Sequence, residues 1–248
     1  IGMIGKYVDL ADSYKSLNES LLHASVHNNN SLEIDFIDSE DITKKNINRL
    51  KNLQGIVVPG GFGNRGVEGK ILAANFARKK DIPYFGICLG MQISVIEFAR
   101  NILGLKDANS TEFDLKTPFP VISLVTEWDD YKKGKLKGSL HQMGGTMRLG
   151  AQSCTLMKKT LAYSLYKKNI ISERHRHRYE VNNKFVDQFN ETDLVFSGYS
   201  GNKDLMEMLE LKHHPWYLAS QFHPEFTSSP LKGHPLFNSF IKTAYETK

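Results

Sequence analysis

Pro83-Tyr84-Phe85-Gly86-Ile87-Cys88-Leu89-Gly90-Met91-Gln92 is the stretch that decides the fold. Its apolar, strand-like first half breaks at Gly-x-Cys-x-Gly, and a helical pattern begins at once behind it. A sharp strand-to-helix turn of this kind pushes the central side chain out of a sheet. A thiol there sits at a helix N-terminus, where the backbone dipole favours thiolate over thiol. The alternative for any lone cysteine is burial in the core. Cys154, which has no glycine frame, is assigned to packing.

Upstream of the cysteine, strand and helix alternate. Ile1 to Lys6 reads as a strand, Asp12 to His27 as a helix with Leu17, Leu21, Leu22 and Ala24 at helical spacing, and Leu32 to Asp38 as an alternating strand. A short helix over Thr43 to Asn52 precedes the continuous apolar run Gly55-Ile56-Val57-Val58-Pro59, which suits a strand buried on both faces. Helix over Val67 to Lys80, strand over Ile82 to Ile87 and helix over Leu89 to Ile102 follow. Such alternation predicts an α/β fold with parallel strands and right-handed crossovers. Between Gly104 and Gly150 only Phe119 to Val125 reads as strand, so this stretch is expected to form a functional loop or lid. Strands resume at Thr146 to Leu156, Arg178 to Val181, Asp193 to Tyr199, Asp204 to Leu211 and Trp216 to Phe222, and a helix over His234 to Tyr245 closes the pattern.

The 248 residues suffice for one large core, and 40% hydrophobic with 24% charged residues is ordinary for a globular protein. No apolar run reaches the roughly 18 to 20 residues of a membrane span. The first residues lack a signal-peptide layout and do not begin with Met, so the chain is expected to be a domain cut from something longer. Two cysteines make neither a disulfide framework nor a metal-ligand pattern, which points to a reducing, cytoplasmic setting. The net charge of +5 collects in Tyr131-Lys132-Lys133-Gly134-Lys135-Leu136-Lys137 and Arg174-His175-Arg176-His177-Arg178. Neither run interleaves aromatics as a nucleic-acid platform does, so no nucleic-acid partner is expected.

Two further segments complete a chemistry. Gln221-Phe222-His223-Pro224-Glu225-Phe226 places a histidine and a carboxylate two residues apart, on one side of an extended chain. Glu225 would then hold His223 in the tautomer that accepts the Cys88 proton. Pro59-Gly60-Gly61-Phe62-Gly63 follows a buried strand at the sheet edge where α/β sites form. The backbone N–H groups of Gly61 and of Leu89 are the candidate oxyanion donors. A phosphate cradle is the rival reading of this loop, but the Gly-x-x-x-x-Gly-Lys-Ser/Thr spacing is missing.

These three elements, in this order, resemble the class I glutamine amidotransferases. Gly60 to Gly66, Asn109-Ser110-Thr111-Glu112-Phe113, Gly144-Gly145-Thr146-Met147-Arg148-Leu149-Gly150 and Glu173 to Asn182 resemble more particularly the glutaminase domains of the CTP synthase family. The resemblance spans essentially the whole chain. It implies a three-layer, flavodoxin-like α/β fold with a central, mostly parallel sheet, one domain over residues 1–248 and a lid-like insertion at about 126–150.

The resemblance also implies Cys88 as nucleophile, His223 as base and Glu225 as its orienter, with Gly61 and Leu89 as oxyanion donors. Gly61, Leu89, Gly90, Met91, Gln92, Glu112 and Arg178 would line the L-glutamine site. An acid for the α-ammonium and a base for the α-carboxylate suit Glu112 and Arg178. Arg148 would belong to a lid answering to GTP as activator, and Gly144-Gly145 would hinge it. No metal or cofactor is implied for glutamine hydrolysis. ATP, Mg²⁺ and UTP would serve an N-terminal amidoligase domain, which nothing in this sequence resembles. The full enzyme would be a homotetramer, and this domain alone a monomer. Still open are the glutaminase of a different synthetase, a γ-glutamyl hydrolase, and a catalytically idle assembly module.

Overall fold

The computed structural model of the chain describes residues 1–6, 12–124, 127–130, 134–137, 147–201 and 205–247. The first half runs β1 (Gly2–Gly5), α1 (Lys15–His27), β2 (Asp35–Asp38), β3 (Ile56–Val58), α2 (Val67–Lys79), β4 (Tyr84–Ile87) and α3 (Leu89–Asn101). Then come β5 (Ala108–Ser110), β6 (Phe119–Leu124), β7 (Glu127–Asp130), β8 (Gly134–Lys137), β9 (Arg148–Leu156), α4 (Leu161–Tyr166), β10 (Ile170–His177) and β11 (Tyr179–Val181). The chain finishes with α5 (Val186–Asn190), β12 (Leu194–Tyr199), β13 (Met206–Leu211), β14 (Tyr217–Ser220) and α6 (Pro235–Glu246).

One sheet organises the molecule, in the order β10-β9-β12-β13-β14-β4-β3-β1-β2. The part from β14 through β4, β3 and β1 to β2 is parallel. The part from β14 to β10 is antiparallel. Apolar alternation along the parallel strands feeds two cores. Ile4, Ile56, Val58, Tyr84 and Ala219 pack with α2 and α3 on one face. Met3, Val57, Phe85, Ile87 and Leu218 pack with α1 and α6 on the other. This is the expected three-layer α/β arrangement, extended by an antiparallel half.

Several boundaries differ from the sequence reading for local reasons. α1 starts at Lys15 because Tyr14 is buried ahead of it, its hydroxyl accepting the Lys6 N–H at 3.1 Å. The expected helix over 43–52 is a 3-10 helix over Ile47–Asn52, since Asn46 Oδ1 captures the Thr43 N–H at 2.8 Å and folds that segment as a turn. The stretch expected to hold little structure contains β5 and β6, which join β11 in a second sheet, and the β7–β8 hairpin. Gly144, Gly145 and most of the expected lid lie outside the described residues.

The largest omission of the sequence reading is β10. It alternates strictly, with Glu173, His175 and His177 inside and Arg174 and Arg176 outside. The inner face is polar, so hydropathy shows no period of two and the strand reads as a basic run.

Candidate active site

The strands β1, β3, β4 and β14 all end at one edge, and the segments leaving β3, β4 and β14 build the site. Val58 pairs with Gly86, and Ile87 with Ser220, so the Pro59-Gly60-Gly61 loop, Cys88 and the Gln221-Phe222-His223 segment emerge side by side. Parallel α/β sheets gather ligands at this carboxyl edge.

Cys88 is the N-cap of α3, with φ 54° and ψ −101°. A non-glycine residue there costs about 1 to 3 kcal/mol, sustained only where the surroundings fix it. Two contacts fix it: the Cys88 N–H donates to Ser220 O at 2.7 Å, and the Cys88 carbonyl accepts from Met91 N–H at 3.1 Å. Glycine at 90 is required by close approach, since a methyl there would sit 2.1 Å from Val58 O. The first N–H groups of a helix have no partner within it. The Leu89 N–H, one residue past the sulfur, is such a group.

His223 is brought to Cys88 by the end of β14 and by β10, where Arg174 O accepts the His223 N–H at 2.8 Å. Its Nδ1 bonds Glu225 Oε1 at 2.7 Å, and its ring stacks on Phe226 at 4.9 Å. Nε2 is buried and makes no conventional hydrogen bond among the described residues. Burial pushes the imidazolium toward losing its proton. The Cys88 thiolate and the Glu225 carboxylate outweigh that and raise the pKa to about 10. A thiolate beside an imidazolium is the charge state a cysteine nucleophile needs, and His223 is held ready to supply the imidazolium.

Gly60 fits under the imidazole: a methyl there would lie 2.8 Å from His223 Cε1 and 3.5 Å from Cys88 Cβ. Gly60→Ala should therefore tilt the base off the sulfur. We expect kcat/KM to fall about 100-fold with the thermal midpoint nearly unchanged, the scale of an ångström-sized misplacement. Parallel kinetics and calorimetry check this, and undiminished turnover would contradict it.

The two residues expected to supply oxyanion donors, Gly61 and Leu89, are neighbours in space. A methyl at Gly61 would touch Leu89 Cδ2 at 3.4 Å, so the glycine loop lies against the first residue of α3. A cleft of about 380 Å³ opens beside Cys88 and His223, walled by Gly60, Phe62, Arg176 and the approach to α1.

Of the other expected substrate residues, Gly90 and Met91 are buried in the first turn of α3, with the Met91 side chain in the core. Gln92, 3% exposed, donates Nε2 to Tyr179 O at 3.0 Å and to Gln221 Oε1 at 3.4 Å. Glu112 Oε1 accepts the Gly63 N–H at 2.6 Å. Burial pushes its carboxyl up, and the Gly63 N–H, Lys6 and Arg178 partly offset this. Arg178 is half-buried, and its Nε has no partner among the described residues. Acid and base thus lie near enough to influence each other's charge.

Arg148 belongs elsewhere. It is 2% exposed, with Nη1 on Glu180 Oε1 at 2.6 Å, Nη2 on Glu207 Oε1 at 2.7 Å and Nε on Gln152 at 2.8 Å. This corrects its assignment to a nucleotide-responsive lid: the guanidinium is turned into the sheet and already held by two carboxylates. Glycines flank Arg148 in sequence, which suggested mobility, but the residue lies inside β9, opposite His177.

The sequence reading left out two positions that contact the site or its supports. Glu173 takes Thr227 on Oε2 at 3.0 Å and both His234 (3.0 Å) and Tyr166 (2.8 Å) on Oε1, which pins the segment after Glu225. Gln221 directs an amide N–H at Cys88 Sγ, 3.8 Å away. A signal for Gln221 existed, since it stands two residues before His223 and shares its side of an extended chain.

A buried thiol on a strained elbow, beside an imidazole held by a carboxylate, is the arrangement that cysteine-dependent hydrolases use. The chain belongs to the class I glutamine amidotransferase family, whose model matches residues 9–243. It is similar to the Trypanosoma brucei CTP synthase glutaminase domain solved with bound acivicin, at 36% identity over 100% of this chain and 94% of that one, with a TM-score of 0.89. The fold is shared more widely. A glutamine amidotransferase from Thermotoga maritima matches at 11% identity and TM-score 0.53, over 99% of this chain and 96% of that one. Another, from Methylobacillus flagellatus, matches at 9% and 0.55, over 100% and 92%. Among the described residues no helix is long and apolar enough to cross a membrane.

Proposed function

We propose that this domain hydrolyses L-glutamine through a Cys88 γ-glutamyl thioester and that the ammonia serves to aminate UTP to CTP on an amidoligase domain. The observation that carries the reading is the Cys88–His223–Glu225 constellation on a chain 36% identical to a CTP synthase glutaminase domain.

Each step falls to a named group. Cys88 Sγ adds to the side-chain amide carbon of glutamine, and the oxyanion rests on the N–H groups of Gly61 and Leu89. His223 Nε2 gives its proton to the amide nitrogen, the C–N bond breaks and ammonia leaves. The neutral imidazole then takes a proton from water, whose oxygen attacks the thioester. Glutamate departs, and thiolate and imidazolium are restored. Throughout, Glu225 receives the Nδ1–H and fixes the ring. The reading gives Glu112 the α-ammonium and Arg178 the α-carboxylate of the substrate. ATP, Mg²⁺ and UTP belong to the amidoligase partner, and no step above runs through them. GTP is the proposed activator, through contacts other than Arg148.

Glu112→Gln removes one charge-assisted bond to the substrate, so KM for glutamine should rise about 10- to 100-fold with kcat changed far less. A kcat loss at constant KM would contradict the assignment. To test the reading as a whole, ammonia release from glutamine is measured alone and with a CTP synthase amidoligase domain, ATP and UTP. Glutamine-dependent CTP supports it. Ammonia without CTP would overturn the destination of the ammonia, and no ammonia in either case the glutaminase reading itself.

A further inference from the structure

We propose that Gln221 holds the Cys88 sulfur as thiolate by donating a side-chain N–H to it, so that the nucleophile has an amide donor in addition to the neighbouring His223 imidazole.

A buried primary amide has two N–H donors and a carbonyl to satisfy. Gln221 is fully buried. Gln92 settles its orientation. Gln92 Nε2 donates to the backbone carbonyl Tyr179 O at 3.0 Å, and a carbonyl can be met only by a donor, so this end of Gln92 is its nitrogen. The same nitrogen lies 3.4 Å from the other amide, which must therefore turn its oxygen toward Gln92. The Gln221 NH₂ is left facing Cys88 Sγ at 3.8 Å, within reach for the large sulfur atom.

The backbone makes this contact rigid. Gln221 N–H donates to Glu207 O at 2.8 Å, while the preceding residue, Ser220, accepts the Cys88 N–H at 2.7 Å. Nucleophile and amide are thus both tied to the end of β14. A neutral donor beside a thiolate makes a charge-assisted hydrogen bond, stronger than it would make to a thiol. It favours the thiolate–imidazolium pair over the neutral pair. It also favours the breakdown of the thioester, in which the C–S bond breaks and sulfur leaves with the electron pair. Its catalytic meaning rests on the glutaminase reading, but its test does not.

The test is the rate of Cys88 alkylation by iodoacetamide between about pH 6 and pH 10, followed by intact mass, with Cys88→Ala to subtract labelling at Cys154. A charge-assisted bond is worth about tenfold in the thiolate fraction. Gln221→Met should therefore react more slowly near pH 7, by up to about tenfold, the deficit closing as the pH approaches 10. Gln221→Glu, of the same size, should be slower still, because it sets a carboxylate beside the sulfur, and it carries the test if the methionine variant does not fold. Reaction of either folded variant at the parent rate near pH 7 would overturn the proposal. So would a deficit equal at every pH, which would mean altered access. Ammonia release by the parent is measured alongside. Its absence with the pH-dependent deficit intact would sink the glutaminase reading and leave the Gln221 contact standing.

Discussion

Cys88→Ala should abolish glutamine hydrolysis, lowering kcat by at least about 10⁴-fold, the scale on which removal of a triad nucleophile acts. It should also change its neighbour in a way that ordinary loss of activity does not. The His223 pKa is raised from 6.5 to about 10 although burial opposes the charge, and Cys88 is the foremost of the influences that raise it. Without the sulfur, burial remains and only Glu225 opposes it, so the imidazole should titrate well below 10. The sign follows: near pH 8 the parent carries an imidazolium, whereas the variant loses part or all of that charge. Histidine ¹⁵N chemical shifts against pH read this directly. A ring titrating at the same pH in both proteins would show that no thiolate–imidazolium pair exists.

The second large effect concerns stability. Arg148→Met should destabilise the fold by about 3 to 5 kcal/mol, the cost of stranding buried charges whose partner is removed. For a chain of this size that is roughly 6 to 20 °C in the thermal midpoint. Glu180 and Glu207 are both essentially excluded from water and share this one guanidinium. Burial pushes the Glu180 carboxyl up from 4.5 to about 8, Arg148 opposing, and pushes Glu207 up in the same way. His175 and His177 close the cluster at 2.8 Å from each other, and burial and Arg148 both drive them toward the neutral form. A carboxyl with a raised folded pKa takes up a proton on folding, so its contribution to stability falls as pH rises from about 4.5 to the folded value. Removing the arginine widens that window. The deficit of the variant should accordingly be smaller near pH 5 than near pH 8. Denaturant melts at the two pH values check this, and a deficit below about 1 kcal/mol at both would contradict the buried-cluster account.

How much of this was legible beforehand depends on which residues report their surroundings. The parallel half of the sheet was readable because its strands are buried on both faces, and Ile56-Val57-Val58 and Tyr84-Phe85 leave no room for polar residues. The cysteine elbow was readable because a strained backbone restricts composition: Gly90 cannot bear a side chain against Val58 O. The pairing of His223 with Glu225 followed from their spacing. β10 was not readable, because its inner residues, Glu173, His175 and His177, are the types normally found outside. They are inside because Arg148, Glu207, Thr227 and His234 lie across from them, and those partners are scattered along the chain. Arg148 was misplaced for the same reason. Its glycine-flanked setting suggested a mobile loop, and only long-range pairing with Glu180 and Glu207 puts it in the interior. The amide of Gln221 is an intermediate case, since its position was legible and its partner was not.

The most direct test of the central claim is intact-mass labelling with 6-diazo-5-oxo-norleucine, a glutamine-shaped electrophile, on the parent and on Cys88→Ala. A single covalent event suffices, so the result does not depend on how fast the isolated domain turns over. Cys88 as the nucleophile of a glutamine site predicts one adduct on the parent and none on the variant. An unmodified parent at saturating reagent, or equal labelling of both proteins, would contradict it.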